Sequence, residues 1–201
     1  MRYPKLRELK EAIKALLTGP YTSKFPALPH KPFERFRGKP EFDARICIGC
    51  TACAQVCPAG AIEFRDEKRS GTWKRVMKIQ WDRCICCGQC QANCPPEKGI
   101  LLSREFDLAV TENPQQLNQE IEKELFVCEC CNEIVAPKDQ ILWVSRRLGP
   151  LCFANASLML FYLENMELAQ QRGKEDKKEM LRADRITVLC PRCRREAVLK
   201  S

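Results

Sequence analysis

The sequence predicts an α+β fold, and three patterns predict it. Cysteine recurs in two runs 37 residues apart, Cys47-x₂-Cys50-x₂-Cys53-x₃-Cys57-Pro58 and Cys84-x₂-Cys87-x₂-Cys90-x₃-Cys94-Pro95. Between them, Ile62 to Trp81 has the apolar spacing of a strand pair, with Ser70-Gly71 as its turn. Helical periodicity brackets this region, in the leucine stripe near the N-terminus and again over Phe153 to Met166.

The cysteine runs carry the chemistry. Each has the spacing that wraps a [4Fe–4S] cubane: three closely spaced thiolates reach three corners, and the fourth cysteine of each run ligates the other cluster. The first cluster is therefore expected on Cys47, Cys50, Cys53 and Cys94, and the second on Cys84, Cys87, Cys90 and Cys57. Residues 41–110 then read as a bacterial two-cluster ferredoxin-like domain built on an internal repeat. In each half a strand leads into the cysteine loop, a helical turn carries Ala54-Gln55-Val56 or Gln91-Ala92-Asn93, and a strand leads out. Gly49, Thr51, Ala52, Ala54 and Gly88 are small enough to let backbone amides approach the sulfurs, which tunes reduction potential. Cys86 falls between ligand positions and is expected to point away from the cube. Disulfide pairing is the poorer reading, because neighbouring thiols such as Cys86 and Cys87 suit a reducing compartment and metal binding.

The remaining elements follow in order. Residues 1–40 form a helix and an arm. In the helix, Met1 to Leu17, Leu6, Leu9, Ile13, Leu16 and Leu17 share one stripe, and Lys5, Arg7, Lys10 and Lys14 fill the other faces. Thr18-Gly19-Pro20 stops it. Such a stripe suits a membrane interface, a partner's groove or the chain's own domain. The arm, Tyr21 to Pro40, holds Pro26, Pro29, Pro32 and Pro40 without periodicity, so it should extend over a neighbouring surface. After the ferredoxin-like core, a polar helix is expected over Pro114 to Leu125, making residues 111–126 a linker. Residues 127–201 form a small module opened by Cys128-x₂-Cys131 and closed by Cys190-x₂-Cys193. Those pairs have the knuckle spacing of a closed Cys₄ zinc site, expected as a zinc ribbon with a helical insertion. A third iron–sulfur cluster, drawing in Cys130 or Cys152, is the competing reading. Gln170 to Arg182 is a charged continuation of the inserted helix. Trp73, Trp81 and Trp143 read as packing residues.

Composition narrows the function. The 201 residues include 15 cysteines and a single histidine, His30, which leaves no imidazole pair for a hydrolytic or His-rich site. The densest apolar stretch, Leu158 to Leu163, is far too short to span a bilayer, and no signal core precedes a cleavage site. The protein is therefore expected in the cytoplasm, soluble or peripheral. No glycine-rich phosphate loop follows a strand, which argues against nicotinamide or flavin binding. The formal net charge is +8 with thiols counted neutral. Each four-thiolate cubane and a four-thiolate zinc carry roughly −2, which lowers the total to about +2. Arg192, Arg194 and Arg195 beside the last knuckle then read as compensation for an anionic metal centre rather than as a nucleic-acid surface.

Arg35-Phe36-Arg37-Gly38 ahead of Cys47-Ile48-Gly49-Cys50 and the second run resembles the two-cluster iron–sulfur subunit of complex I. With Leu102-Ser103-Arg104-Glu105-Phe106-Asp107-Leu108-Ala109-Val110, Cys128-x₂-Cys131-Asn132 and Cys190-Pro191-Arg192-Cys193-Arg194, the chain is more similar to the corresponding subunit of group 4 membrane-bound [NiFe] hydrogenases and formate hydrogenlyase. The doubled Cys130-Cys131 departs from that pattern, and Phe153 to Arg182 carries no shared motif. The resemblance implies a non-catalytic electron-relay subunit, peripheral on the cytoplasmic face of the inner membrane. It would pass single electrons between an electron-input module and the hydrogenase small and large subunits, with membrane-arm subunits nearby and no small-molecule substrate. A complex I-like relay towards quinone shares every ligand. From a different class stands a redox-sensing nucleic-acid-binding zinc protein; a free-standing ferredoxin would leave the helix and arm without a role.

Overall fold

A leucine stripe with basic flanks produces the first helix. The computed structural model describes residues 5–166, 168 and 187–199, and α1 runs over Leu6–Thr18. The Lys5 amide donates to the Glu8 carboxylate at 3.1 Å, half of a capping box. Gly19, at φ 74°, ends the helix and donates its N–H to the Ala15 carbonyl at 3.0 Å. Residues 1–4 of the expected helix lie outside the described residues. Residues 19–36 carry no helix or strand, as their prolines predict. The chain divides into two compact units, residues 1–36 and residues 37–201.

In the second unit, β1 (Pro40–Phe42) pairs antiparallel with β4 (Ile100–Leu102), placing Phe42 opposite Ile100. The loops between them hold two helical turns, α2 (Ala52–Gln55) and α3 (Gln89–Ala92). The hairpin is formed by β2 (Ile62–Arg69) and β3 (Thr72–Gln80). Its turn residues, Ser70 at φ 50° and Gly71 at φ 84°, are both left-handed, the backbone a tight two-residue hairpin requires. Val76, Met77 and Ile79 of β3 are buried, and Met77 and Ile79 with Phe42, Ile62 and Ile100 form the floor on which the cysteine loops rest.

The linker helix expected over 111–126 is not there. Apart from a single 3₁₀ turn at Pro114–Leu117, the segment is a strand, β5 (Asn118–Val127). Ile121, Lys123 and Leu125 are buried while Glu120, Glu122 and Glu124 are exposed, a period of two. Glutamate, lysine and leucine favour helix individually, but here the unpaired edge of β3 decides the outcome. β5 pairs with it in register, Met77 opposite Ile121. β5 also pairs on its other edge with β6 (Ile134–Pro137), so one antiparallel sheet, β2-β3-β5-β6, runs from the hairpin into the C-terminal part.

Three helices complete this part: α4 (Lys138–Leu148), α5 (Ala156–Asn165) and α6 (Pro191–Leu199). The Asn155 side chain caps α5, accepting from the Ser157 and Leu158 amides at 3.0 and 3.2 Å. The second cysteine pair opens α6, where a ribbon would have a second hairpin. Pro191 occupies the first helical position, where its fixed φ and missing N–H are tolerated. The charged continuation expected over 170–182 lies outside the described residues. No described helix is long and apolar enough to cross a membrane.

Candidate metal-cluster sites

The 37-residue repeat is visible in the backbone. Gly49 (φ 69°) and Cys86 (φ 51°) occupy equivalent positions, as do Thr51 (φ 64°) and Gly88 (φ 81°), and all four are left-handed. These turns curl each loop between its successive cysteines. Thr51 and Gly88 sit just before α2 and α3, which carry Cys53 and Cys90. Cys86 therefore stands where the first loop has glycine. Its amide donates to Cys84 Sγ at 3.4 Å, just as the Gly49 amide serves Cys47. A β-carbon at this backbone angle carries strain that Gly49 avoids.

Cys47, Cys50, Cys53 and Cys94 line one cavity, together with Phe42, Met77 and Ile100. A β-carbon on Gly99 would lie 3.1 Å from Cys94 Sγ and 3.2 Å from Cys47 Cα, so glycine is what lets the distal cysteine reach the first loop. The thiols of this set sense one another. Burial, then the neighbouring Cys50 and Cys94, push Cys47 up against the opposing pull of the Gly49 amide and Lys123. Burial with Cys47 and Cys50 pushes Cys53 to about 12. In the second set, burial with Cys84 and Cys87 pushes Cys90 to about 11, and Cys84 is raised by burial, Cys86 and Cys57. Burial thus disfavours these thiolates, and the positive iron–sulfide core of a cubane would supply the charge that such a dry pocket lacks. The donors and their amides fit that group. Ala61 N–H donates to Cys57 Sγ at 3.3 Å, and the Gly99, Ile100 and Glu97 amides reach Cys94. Cys84, Cys87 and Cys57 are only half-buried, and neighbouring Ile85 is 65% exposed, so the second site lies nearer the surface.

Cys128, Cys131, Cys190 and Cys193 converge with their sulfurs within 4.8 Å of one another. Cys131 Sγ and Cys190 Sγ are 3.7 Å apart, and a tetrahedron of about 2.3 Å metal–sulfur bonds has edges of about 3.8 Å. The set thus fits one tetrahedral ion. The first pair sits in the β5–β6 turn, where the Cys128 amide donates to the Glu133 carbonyl at 2.8 Å. The second pair is braced by Arg194, whose guanidinium donates to Ser157 Oγ at 2.6 Å and to the Thr187 carbonyl at 3.3 Å. Cys130 is exposed and Cys152 is buried; neither belongs to the group of four.

Two functional neighbours escaped the sequence reading. Arg75 grips Asp66 with two hydrogen bonds of 2.7 and 2.8 Å and donates to the Gly49 carbonyl at 3.1 Å. Lys123, only 7% exposed, donates to the Ala44 carbonyl at 2.5 Å and pairs with Asp139 at 2.7 Å. On a supposed polar helix Lys123 looked solvated, and only the strand period turns it inward. Of the tryptophans, Trp81 donates to the Pro40 carbonyl at 2.7 Å, and Trp143 packs under the Arg147 guanidinium.

The fold and its paired cysteine loops define a dicluster ferredoxin domain. Residues 46–98 match the family described as a 4Fe-4S dicluster domain. Formate hydrogenlyase subunit 6 of Escherichia coli is 35% identical over 133 residues, 64% of this chain and 69% of that protein. An NADH-quinone oxidoreductase subunit I of Geobacter metallireducens is 30% identical over 54% of this chain and 87% of that protein. The NAD(P)H-quinone oxidoreductase subunit I of Gloeobacter violaceus is 33% identical over 45% of this chain and 44% of that protein. The chain belongs to the family of two-cluster iron–sulfur subunits that includes formate hydrogenlyase subunit 6 and NADH-quinone oxidoreductase subunit I. It is an iron–sulfur electron-transfer subunit holding [4Fe–4S] clusters. Among solved structures, a chain of the membrane-bound sulfane sulfur reductase, an archaeal respiratory membrane complex, is 29% identical with a TM-score of 0.40, covering 58% of this chain and 62% of that one.

Proposed function

We propose that this chain relays single electrons between an electron-input module and the [NiFe] core of a membrane-associated hydrogenase or formate hydrogenlyase-type complex, docked peripherally on the cytoplasmic face of the inner membrane. The observation that carries the relay is the shared cavity of Cys47, Cys50, Cys53 and Cys94, which supports the crosswise ligand sets. With four cysteines committed to each cluster, no iron is left open to a substrate. The clusters supply one-electron redox chemistry; the residues around them hold them, exclude water and aim amide dipoles at sulfur. Cys128, Cys131, Cys190 and Cys193 hold zinc, whose closed, redox-silent shell braces the C-terminal part. The leucine stripe of α1 and the proline-rich arm fasten the subunit to its neighbours.

Similarity to formate hydrogenlyase subunit 6 favours the hydrogenase reading. The 87% of a subunit I that the chain covers favours a complex I-like relay towards quinone as the second. Anaerobic reconstitution tests the relay. Wild type should hold eight irons in two cubanes, the content two four-iron clusters require, and Cys57→Ala should lose the cluster of the second loop while keeping the other. One cubane in wild type, or two in Cys57→Ala, refutes the crosswise sets. Co-purification of a nickel-containing large subunit separates the two complexes.

A further inference from the structure

The repeat makes the two cluster loops alike in cysteine spacing and left-handed turns, while the distal cysteines differ in amide donors, Ala61 for Cys57 against Gly99, Ile100 and Glu97 for Cys94. One further difference between the clusters comes from outside the repeat. β5 lies beyond it and brings a buried ammonium to the first half. Lys123 Nζ donates to the Ala44 carbonyl, three residues before Cys47, at 2.5 Å. Its stem packs where a β-carbon on Gly49, between Cys47 and Cys50, would come within 3.2 Å. Its counter-ion, Asp139, comes from the first turn of α4 and is half-exposed, with the carboxylate 2.7 Å from Nζ. The pair is thus a dipole with its positive end inward, and water screens its negative end more strongly.

We propose that Lys123 is a tuning residue for the cluster of the Cys47 loop, raising its reduction potential, and that Asp139 moderates that effect from the C-terminal part. The inference rests on the ligand sets proposed above. Reducing a cubane adds one negative charge. A unit positive charge on the order of 10 Å away, at an effective dielectric of about 20, favours the reduced form by roughly tenfold. Tenfold in a one-electron equilibrium is about 59 mV. In the second loop the corresponding support is Arg37, whose guanidinium donates to the Cys87 carbonyl at 3.1 Å from an exposed position. Water screens that charge, so the second cluster gains less. The asymmetry sets a direction: Lys123 makes the first cluster a better electron acceptor than its loop alone would.

Redox titration of the reconstituted full chain, followed by electron paramagnetic resonance, tests this. Cys50→Ala assigns the signals, since it removes the first cluster. If Cys50→Ala keeps both clusters, the ligand sets fail, which is a separate result from failure of the tuning. Lys123→Met should make reduction of the first cluster roughly tenfold less favourable, about 59 mV, and move the second by less than about twofold. Lys123→Arg keeps the charge and should stay near wild type. Asp139→Asn should shift the first cluster the opposite way, by about two- to threefold, the smaller effect expected of a screened charge. Shifts of the same sign in Lys123→Met and Asp139→Asn, equal shifts of both clusters, or no shift would overturn the proposal. If Lys123→Met fails to load iron, the absence of an upward shift in Asp139→Asn overturns it alone.

Discussion

Gly49→Ala is the sharpest probe of how the first cluster loop is held. Gly49 sits at φ +69°, and a β-carbon there would lie 3.2 Å from Lys123 Cβ and Cγ and 3.3 Å from Pro137 Cβ. The left-handed backbone costs a non-glycine residue about 1–2 kcal/mol. Crowding adds about 1–3 kcal/mol, the range for overpacking a closed contact. Relief is difficult: Pro137 is a rigid ring paired with Leu125 in the sheet, and Lys123 is tethered at its far end by Ala44 and Asp139. Gly60 is the control. It has φ +58° but nothing within 4 Å of its would-be β-carbon, so Gly60→Ala carries the backbone cost alone, about 1–2 kcal/mol. For a chain of this size each kcal/mol lowers the melting temperature by about 2–4 °C. Gly49→Ala should therefore melt roughly 2–12 °C below Gly60→Ala, and iron analysis should show its deficit in the first cluster. Matched scan rates are needed because cluster loss is irreversible. Equal melting temperatures and equal iron content in the two variants would refute the packing argument.

Other expectations follow from particular contacts. Arg75→Lys removes a bidentate grip on Asp66 that a lysine cannot reproduce. It should destabilise the chain by about 1–3 kcal/mol and speed iron loss from the first loop, which bleaching of the visible absorbance would follow. Asn155→Ala deprives α5 of its cap and should cost about 1 kcal/mol in urea denaturation, against a few tenths for Asn155→Gly. At the proposed zinc site, affinity should depend on pH in a defined way. Burial acts to raise Cys128, but amides of Cys131, Cys190 and Cys130 overcome it and bring this thiol from 9.0 to about 6. The Cys131 thiol, then burial, push Cys193 up. Cys128's contribution as thiolate is thus fully present above 9 and is lost as pH falls through about 6. Zinc binding followed with a chromophoric chelator should show log K falling more steeply below about pH 6, by about one extra proton; an unchanged slope across that pH contradicts the assignment.

The sequence made some elements legible and concealed others, for identifiable reasons. The hairpin was readable because Ser70-Gly71 can adopt the left-handed turn and the apolar residues of β3 are dense enough to mark a strand. α1 was readable because its stripe repeats at the helical period and Gly19 terminates it. β5 was not. Its charged residues are good helix formers, and its alternation is carried partly by a lysine, which reads as solvent-facing until its partners are known. Only the free edge of β3, the Ala44 carbonyl and the Asp139 carboxylate turn Asn118–Val127 into a strand with Lys123 inward.

The cysteine spacings alone determined that the chain holds two four-iron clusters, because ligand offsets are local and cubane geometry tolerates few of them. Spacing also suggested the pairing of Cys128-x₂-Cys131 with Cys190-x₂-Cys193, but only the fold brings the four sulfurs together without Cys130 or Cys152. Tertiary structure decided how these centres are connected. It joined the C-terminal part to the ferredoxin-like core through one sheet, and it drove a single ammonium into the wall of the first cluster loop. Such a charge cannot be read from spacing, because its effect depends on burial and on which carbonyl and carboxylate it meets. The repeat in the sequence relates the two cluster loops; the strand laid across the first of them brings it a buried charge.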